Sequence, residues 1–256
     1  MYRPDCHIAG GLEQWRSAFP EQIGADTNTI IESTPGYLYS QTALEHIPRL
    51  PSTPRCLFIL REPAAQVYSL YTYFRDNWDW IPADMSFAGF LDAVRAGNHE
   101  FNGNELARNA LHYAKYVDHL LPWRERLGPE RMKVTTYDRL QADPAGLVHE
   151  IASWLGLDPS FYESYGFPRE NETYQPRSRA LQRVNIAVRR LLPKGGAYQG
   201  LRRMYRLLNT TRPDRQSEEN ARIVHSLRAE FQDANSRLAS EFDLDLHAWS
   251  GMSASA

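Results

Sequence analysis

No stretch of this chain approaches the ~18 consecutive apolar residues that a membrane-spanning helix requires, and its start has no basic region followed by an apolar run. Neither a membrane anchor nor a signal peptide is therefore predicted. Cysteine is nearly absent. Cys6 and Cys56 are the only two, which excludes a disulfide framework and sets a reducing compartment, the cytoplasm, as the expected location. No His, Cys, Asp and Glu spacing suits a metal. A Gly-x-x-x-x-Gly-Lys-Ser/Thr phosphate loop is also missing: before Arg61 the only glycine cluster is Ala9-Gly10-Gly11, with no lysine and no strand ahead of it. No internal repeat is present.

What remains is enough for one sizeable core. With 42% apolar and 12% aromatic residues in 256 positions, residues 1–256 are read as a single domain. Strand and helix patterns alternate along it. A short strand is expected near Thr29 to Glu32, a helix around Gln41 to Ile47, a strand from Cys56 to Leu60 and a helix after Pro63. Helical periodicity returns over Phe87 to Val94 and over Leu106 to Leu127, where Leu106, Ala110, Tyr113, Val117, Leu120 and Leu121 form a stripe. Met132 to Tyr137 reads as a strand and Leu147 to Leu155 as a helix before Gly156. Such alternation predicts an α/β domain, a three-layer parallel sheet flanked by helices.

The segment Leu57-Phe58-Ile59-Leu60-Arg61-Glu62-Pro63 carries the chemistry. Four apolar residues in a row suit a strand covered on both faces. Pro63 fits the first helical turn, where its missing N–H costs nothing. Ligands of open parallel sheets gather at the carboxyl ends of the strands. Arg61 stands at that end, and its planar fork suits a phosphate. Ser69 lies close to two helical turns past Pro63, roughly 9 Å along the axis, so a phosphate touching both lies beside the helix. Tyr68, Tyr71, Tyr73 and Phe74 are there to wall it. The alternative for Arg61 is local: capping the following helix or pairing with Glu62.

At these residues the chain resembles the sulfotransferases that use 3'-phosphoadenosine 5'-phosphosulfate, especially glycan-type and bacterial members. The Arg61-Glu62-Pro63 turn with Ser69 is similar to the family's motif for the 3'-phosphate. Gly11 to Pro20, with Trp15, resembles its Trp-Tyr-Phe segment, and Glu32-Ser33-Thr34-Pro35-Gly36-Tyr37 its Glu-Lys/Ser-Thr/Ser-Pro-x-Tyr turn. Val134 to Leu140 with Asp143-Pro144, and the tail Asp245-Leu246-His247-Ala248-Trp249, follow in the family's order. The resemblance implies a P-loop NTPase-like sulfotransferase fold. It also implies transfer of a sulfuryl group to an acceptor hydroxyl or amine of a glycan, lipid or small metabolite, leaving adenosine 3',5'-bisphosphate. By the same resemblance, Arg61 and Ser69, with Arg177 and Arg179 from a later loop, would bind the nucleotide, and Trp15 and Tyr37 would line the acceptor cleft. The family's 5'-phosphosulfate loop and catalytic glutamate have no counterpart here, so the fold is expected to be N-terminally incomplete and the catalytic base is unassigned.

Charge is uneven. Residues 177–215 hold eleven Lys/Arg and one acid, a net of +10 in a chain whose total is −2, and Leu181, Val184, Val188, Leu191 and Leu192 fall at helical intervals among them. This basic helical segment reads as a solvated face, as a contact for an anionic membrane surface, or as a phosphate or acidic-glycan site. It has no recognised nucleic-acid motif, so no nucleic-acid partner is expected. Tyr37 and Trp15 also suit plain packing, Glu32 suits a structural partner of a turn amide, and Asp138, Asp143 and Glu150 read as surface charges. A catalytically inactive scaffold on the same fold is the competing functional class.

Overall fold

The computed structural model describes residues 29–167, 175–176, 210–211 and 218–249. A 3-10 turn at Pro35–Tyr39 leads into α1 (Gln41–His46), whose first turn is capped by Ser40 Oγ accepting from the Ala43 amide at 3.1 Å. The strand β1 (Cys56–Leu60) and the helix α2 (Pro63–Asn77) stand where the sequence predicts them. Their boundary has a local cause. Glu62 accepts the Ala64 and Ala65 amides through its two oxygens, at 2.9 and 2.8 Å, and Pro63 occupies the first helical position.

Then come α3 (Phe87–Ala96), α4 (Glu105–Arg108), α5 (Ala110–Tyr113) and α6 (Tyr116–Leu127). The strand β2 (Met132–Thr136) runs straight into α7 (Tyr137–Ala142), followed by α8 (Pro144–Leu155). The short strands β3 (Gln175–Pro176) and β4 (Thr210–Thr211) pair antiparallel. Two helices, α9 (Glu218–Glu230) and α10 (Gln232–Phe242), precede a last turn at His247–Trp249.

β1 and β2 pair in parallel, Cys56 opposite Met132 through Leu60 opposite Thr136. Because side chains alternate across a strand, the pair divides its contacts between two helical layers. Phe58 meets the edge of the Trp123 ring of α6, with centroids 5.6 Å apart. On the other face Lys133 bonds Glu150 of α8 at 2.7 Å and lies over the Trp154 ring. Two cores result. One joins Ala64, Val67, Tyr71 and Phe74 of α2 to Phe87 and Phe90 of α3 and Leu227 and Phe231 near the C-terminal end of α9. The other joins Leu60 and Met132 to Val117, Leu120 and Trp123 of α6, Leu238 of α10 and Trp249.

Several expectations are corrected. Residues 29–34 form no strand, and Ile30 and Ile31 are 50% and 72% exposed: two β-branched residues make a strand only where a neighbour accepts their backbone. The expected helix over Leu106 to Leu127 is three helices, broken around Asn109 and Lys115, although Ala110, Val117 and Leu120 of its stripe are buried. Tyr137 begins α7 instead of ending β2, because Thr136 caps that helix by accepting from the Arg139 amide. β1 is not covered on both faces throughout, since Ile59 is 44% exposed; α8 engages the pair at Lys133, opposite Leu57, one turn of the pleat earlier. Of the basic segment 177–215, the described residues Thr210–Thr211 are a strand, and the rest lies outside the described residues.

The three acids expected to be surface charges each hold structure. Asp143 caps α8 on the Gly146 amide at 2.8 Å. Glu150 bridges Lys133 and Arg139, and its hydrogen bond from Lys133 holds its carboxyl below the usual value. Asp138 accepts the Trp249 indole N–H at 2.7 Å and so ties the tail to the end of β2. Asp138→Ala leaves that donor, on a residue 3% exposed, without an acceptor, at an expected cost of about 1–3 kcal/mol in urea unfolding. Asp138→Asn keeps an acceptor oxygen and should cost less; equal losses would show that the bond is not what matters.

Candidate functional site

The carboxyl end of β1 gathers the site. Arg61 follows the last strand residue and is exposed. Its guanidinium lies 5.7 Å from the Tyr137 ring centroid, just beyond the adjacent end of β2, and it has no ion-pair partner within 4 Å among the described residues. It neither caps α2 nor pairs with Glu62. The cap is Glu62 itself, buried at 6% exposure, so the first free amides of α2 are already occupied. The helix end is thus closed, and the groups left open at this point are side chains.

Ser69 sits two turns into α2 and is half-buried. Its carbonyl accepts from Thr72 Oγ1 at 2.9 Å, and its own hydroxyl has no hydrogen-bond partner among the described residues. Glu62, Ala65, Gln66 and Ser69 recur at helical spacing, so Ser69 shares the face of α2 that begins beside Arg61. The expected aromatic wall is divided by the same periodicity. Tyr71 and Phe74 are 1% and 5% exposed and belong to the core, whereas Tyr73 is exposed and Tyr68 half-buried.

Tyr37 packs against the second core. Burial, then the Glu32 carboxylate, push its hydroxyl above its ordinary value. Glu32 itself is exposed and accepts a hydrogen bond from Thr34 Oγ1. Trp15, Arg177 and Arg179 lie outside the described residues.

Three residues that sequence reasoning missed stand at this end of the sheet. Tyr116 opens α6 and is 4% exposed. Burial holds its hydroxyl well above the ordinary value; the charges of Tyr39 and Glu62 add to the shift, and Arg61 opposes it. Tyr39 ends the 3-10 turn and stacks on Tyr113 at 4.2 Å. Arg228 of α9 places Nε 3.5 Å from Glu62 Oε2. Nothing local in the sequence marks these, because each comes from a separate element.

The remaining reactive groups lie elsewhere. Burial pushes the Cys56 thiol up to about 11, with Arg131 opposing, so it is protonated at neutral pH. Among the described residues no group of three His, Cys, Asp or Glu side chains could hold a metal, and no helix is long and apolar enough to cross a membrane.

Comparison with known proteins follows the same segment. Residues 10–176 match the family described as "Sulfotransferase domain". The bifunctional heparan sulfate N-deacetylase/N-sulfotransferase 3 of Mus musculus is 24% identical over 152 residues, 59% of this chain and 17% of that protein. The heparan sulfate glucosamine 3-O-sulfotransferase 3A1 of Mus musculus is 24% identical over 165 residues, 62% of this chain and 40% of that protein. The heparan sulfate glucosamine 3-O-sulfotransferase 6 of Homo sapiens is 25% identical over 165 residues and matched over 45% of its length. The chain thus spans less than half the length of these curated relatives. The crystal structure of a sulfotransferase from Alicyclobacillus acidocaldarius superposes with a TM-score of 0.52 at 16% identity, covering 83% of this chain and 64% of that one. The α/β fold with its parallel strand pair is the fold of that protein.

Proposed function

This chain belongs to the sulfotransferase domain family, and from that premise we propose that it binds 3'-phosphoadenosine 5'-phosphosulfate, with Arg61 and Ser69 holding the 3'-phosphate. The observation that carries the reading is Arg61 itself. A guanidinium at the carboxyl end of a parallel strand, exposed and without an ion-pair partner among the described residues, is a cation kept available. The residues present fit a phosphate. Arg61 offers two parallel N–H donors, Ser69 a hydroxyl with no partner among the described residues on the same side of α2, and the Tyr137 ring centroid lies 5.7 Å from the guanidinium.

When bound, the nucleotide supplies the sulfuryl group that passes to an acceptor hydroxyl or amine. Arg61 and Ser69 fix the far end of the nucleotide, so their share of the work is positioning. The acceptor we propose is a glycan, in keeping with the heparan sulfate named for the relatives. Tyr37, with Trp15, would face it, and Arg177 and Arg179 would add cations at the nucleotide.

Titration calorimetry with adenosine 3',5'-bisphosphate, against adenosine 5'-monophosphate as the control lacking the 3'-phosphate, tests the reading. Selective binding of the bisphosphate is expected. Equal binding of the two, or none of either, would sink it.

A further inference from the structure

Glu62 puts a buried negative charge beside the residue that meets the phosphate. Its side chain is 8% exposed, and its oxygens are taken by the Ala64 and Ala65 amides. Neutral N–H groups stabilise a carboxylate but do not cancel its charge. Because the carboxylate is buried, solvent screens it less than a surface charge, and it opposes a second anion nearby.

Arg228 lies against it. Its Nε is 3.5 Å from Glu62 Oε2, and that nitrogen is buried with no hydrogen-bond partner among the described residues. The separation makes an ion pair without a hydrogen bond, so the guanidinium acts on Glu62 through its charge and leaves the cap to the backbone. Its place is fixed from α9. Asn220 Nδ2 reaches the Tyr68 hydroxyl at 3.5 Å, so α9 runs antiparallel along α2, and Leu227 and Phe231, each 1% exposed, lock it into the first core. Arg228 is therefore set beside Glu62 by the packing of α9 on α2.

We propose that Arg228 sets the charge of the phosphate site. Arg61, Glu62 and Arg228 together carry one net positive charge, and without Arg228 they carry none. Arg228 is thus a positioning and charge-balancing residue, and α9 is a supporting element of the nucleotide site. This rests on the nucleotide reading above.

The test is titration calorimetry of the full chain with adenosine 3',5'-bisphosphate, with circular dichroism melting run on each variant. Arg228→Met should weaken binding roughly 10-fold, and Arg228→Lys, which keeps the charge, should stay near wild type. Glu62→Gln should bind at least as tightly as wild type. The double variant Glu62→Gln/Arg228→Met should recover to within about threefold of wild type. A purely structural pair predicts the opposite: both single variants weak, and the double variant no better. Wild-type affinity in Arg228→Met, or a loss in Glu62→Gln equal to that in Arg228→Met, would overturn the proposal. Wild-type binding that is lost in Arg61→Ala but kept in Arg228→Met overturns this inference alone, and absence of wild-type binding overturns the nucleotide reading with it.

Discussion

Arg61→Ala should weaken adenosine 3',5'-bisphosphate binding by roughly 10- to 150-fold while leaving the fold intact. A hydrogen bond to a charged group is worth about 1.5–3 kcal/mol, and every 1.4 kcal/mol is about tenfold in affinity. The stability of the chain should move little, because Arg61 is exposed and among the described residues lies against the Tyr137 ring, a cation–π interaction of about 0.5–1 kcal/mol at such a site. The two readouts separate function from folding. Arg61→Lys restores the charge but not the planar fork, and should fall between wild type and Arg61→Ala. Binding of adenosine 5'-monophosphate should be insensitive to both substitutions, since it has no 3'-phosphate to lose. An affinity for the bisphosphate unchanged in Arg61→Ala would remove Arg61 from the site.

Trp123→Ala should cost about 3–5 kcal/mol of stability, the largest single loss expected here. Trp123 is 1% exposed and ties α6 to two other elements. It lies on α6, meets Phe58 of β1 edge to face at 5.6 Å, and donates its indole N–H to the Leu38 carbonyl at 3.2 Å. Its truncation opens a cavity and leaves that carbonyl without its donor. Leu38 belongs to the turn that carries Tyr37 and Tyr39, so the loss also loosens that turn. Urea unfolding at constant slope measures it. Trp123→Phe keeps most of the ring volume and should recover part of the loss. A loss below about 1 kcal/mol in Trp123→Ala would contradict the anchoring described here.

The elements nearest the site were legible because their signals are local. Cys56 to Leu60 is a short apolar run and Pro63 suits the first helical turn; together they place a strand and a helix within a few positions. Periodicity served less well where it continued through breaks. The stripe from Leu106 to Leu121 keeps its phase across α4, α5 and α6, so the buried positions were readable and the interruptions at Asn109 and Lys115 were not. The wall of aromatic residues in α2 was misread for a related reason: Tyr71 and Phe74 take the phase of Val67 and turn into the core.

By itself, the sequence determined the alternation of strands and helices, the family, and the position of Arg61 and Ser69 at the end of one strand and along one helix. These depend on neighbours in the chain, where spacing is geometry. Only the tertiary structure decided that Glu62 rather than Arg61 closes the helix end, that Tyr39 and Tyr116 stand beside them, and that Arg228 from α9 meets the Glu62 carboxylate. A charge's effect falls off over a few ångströms in space, and proximity between residues so far apart in sequence is set by how α9 and α6 pack, which no local pattern encodes.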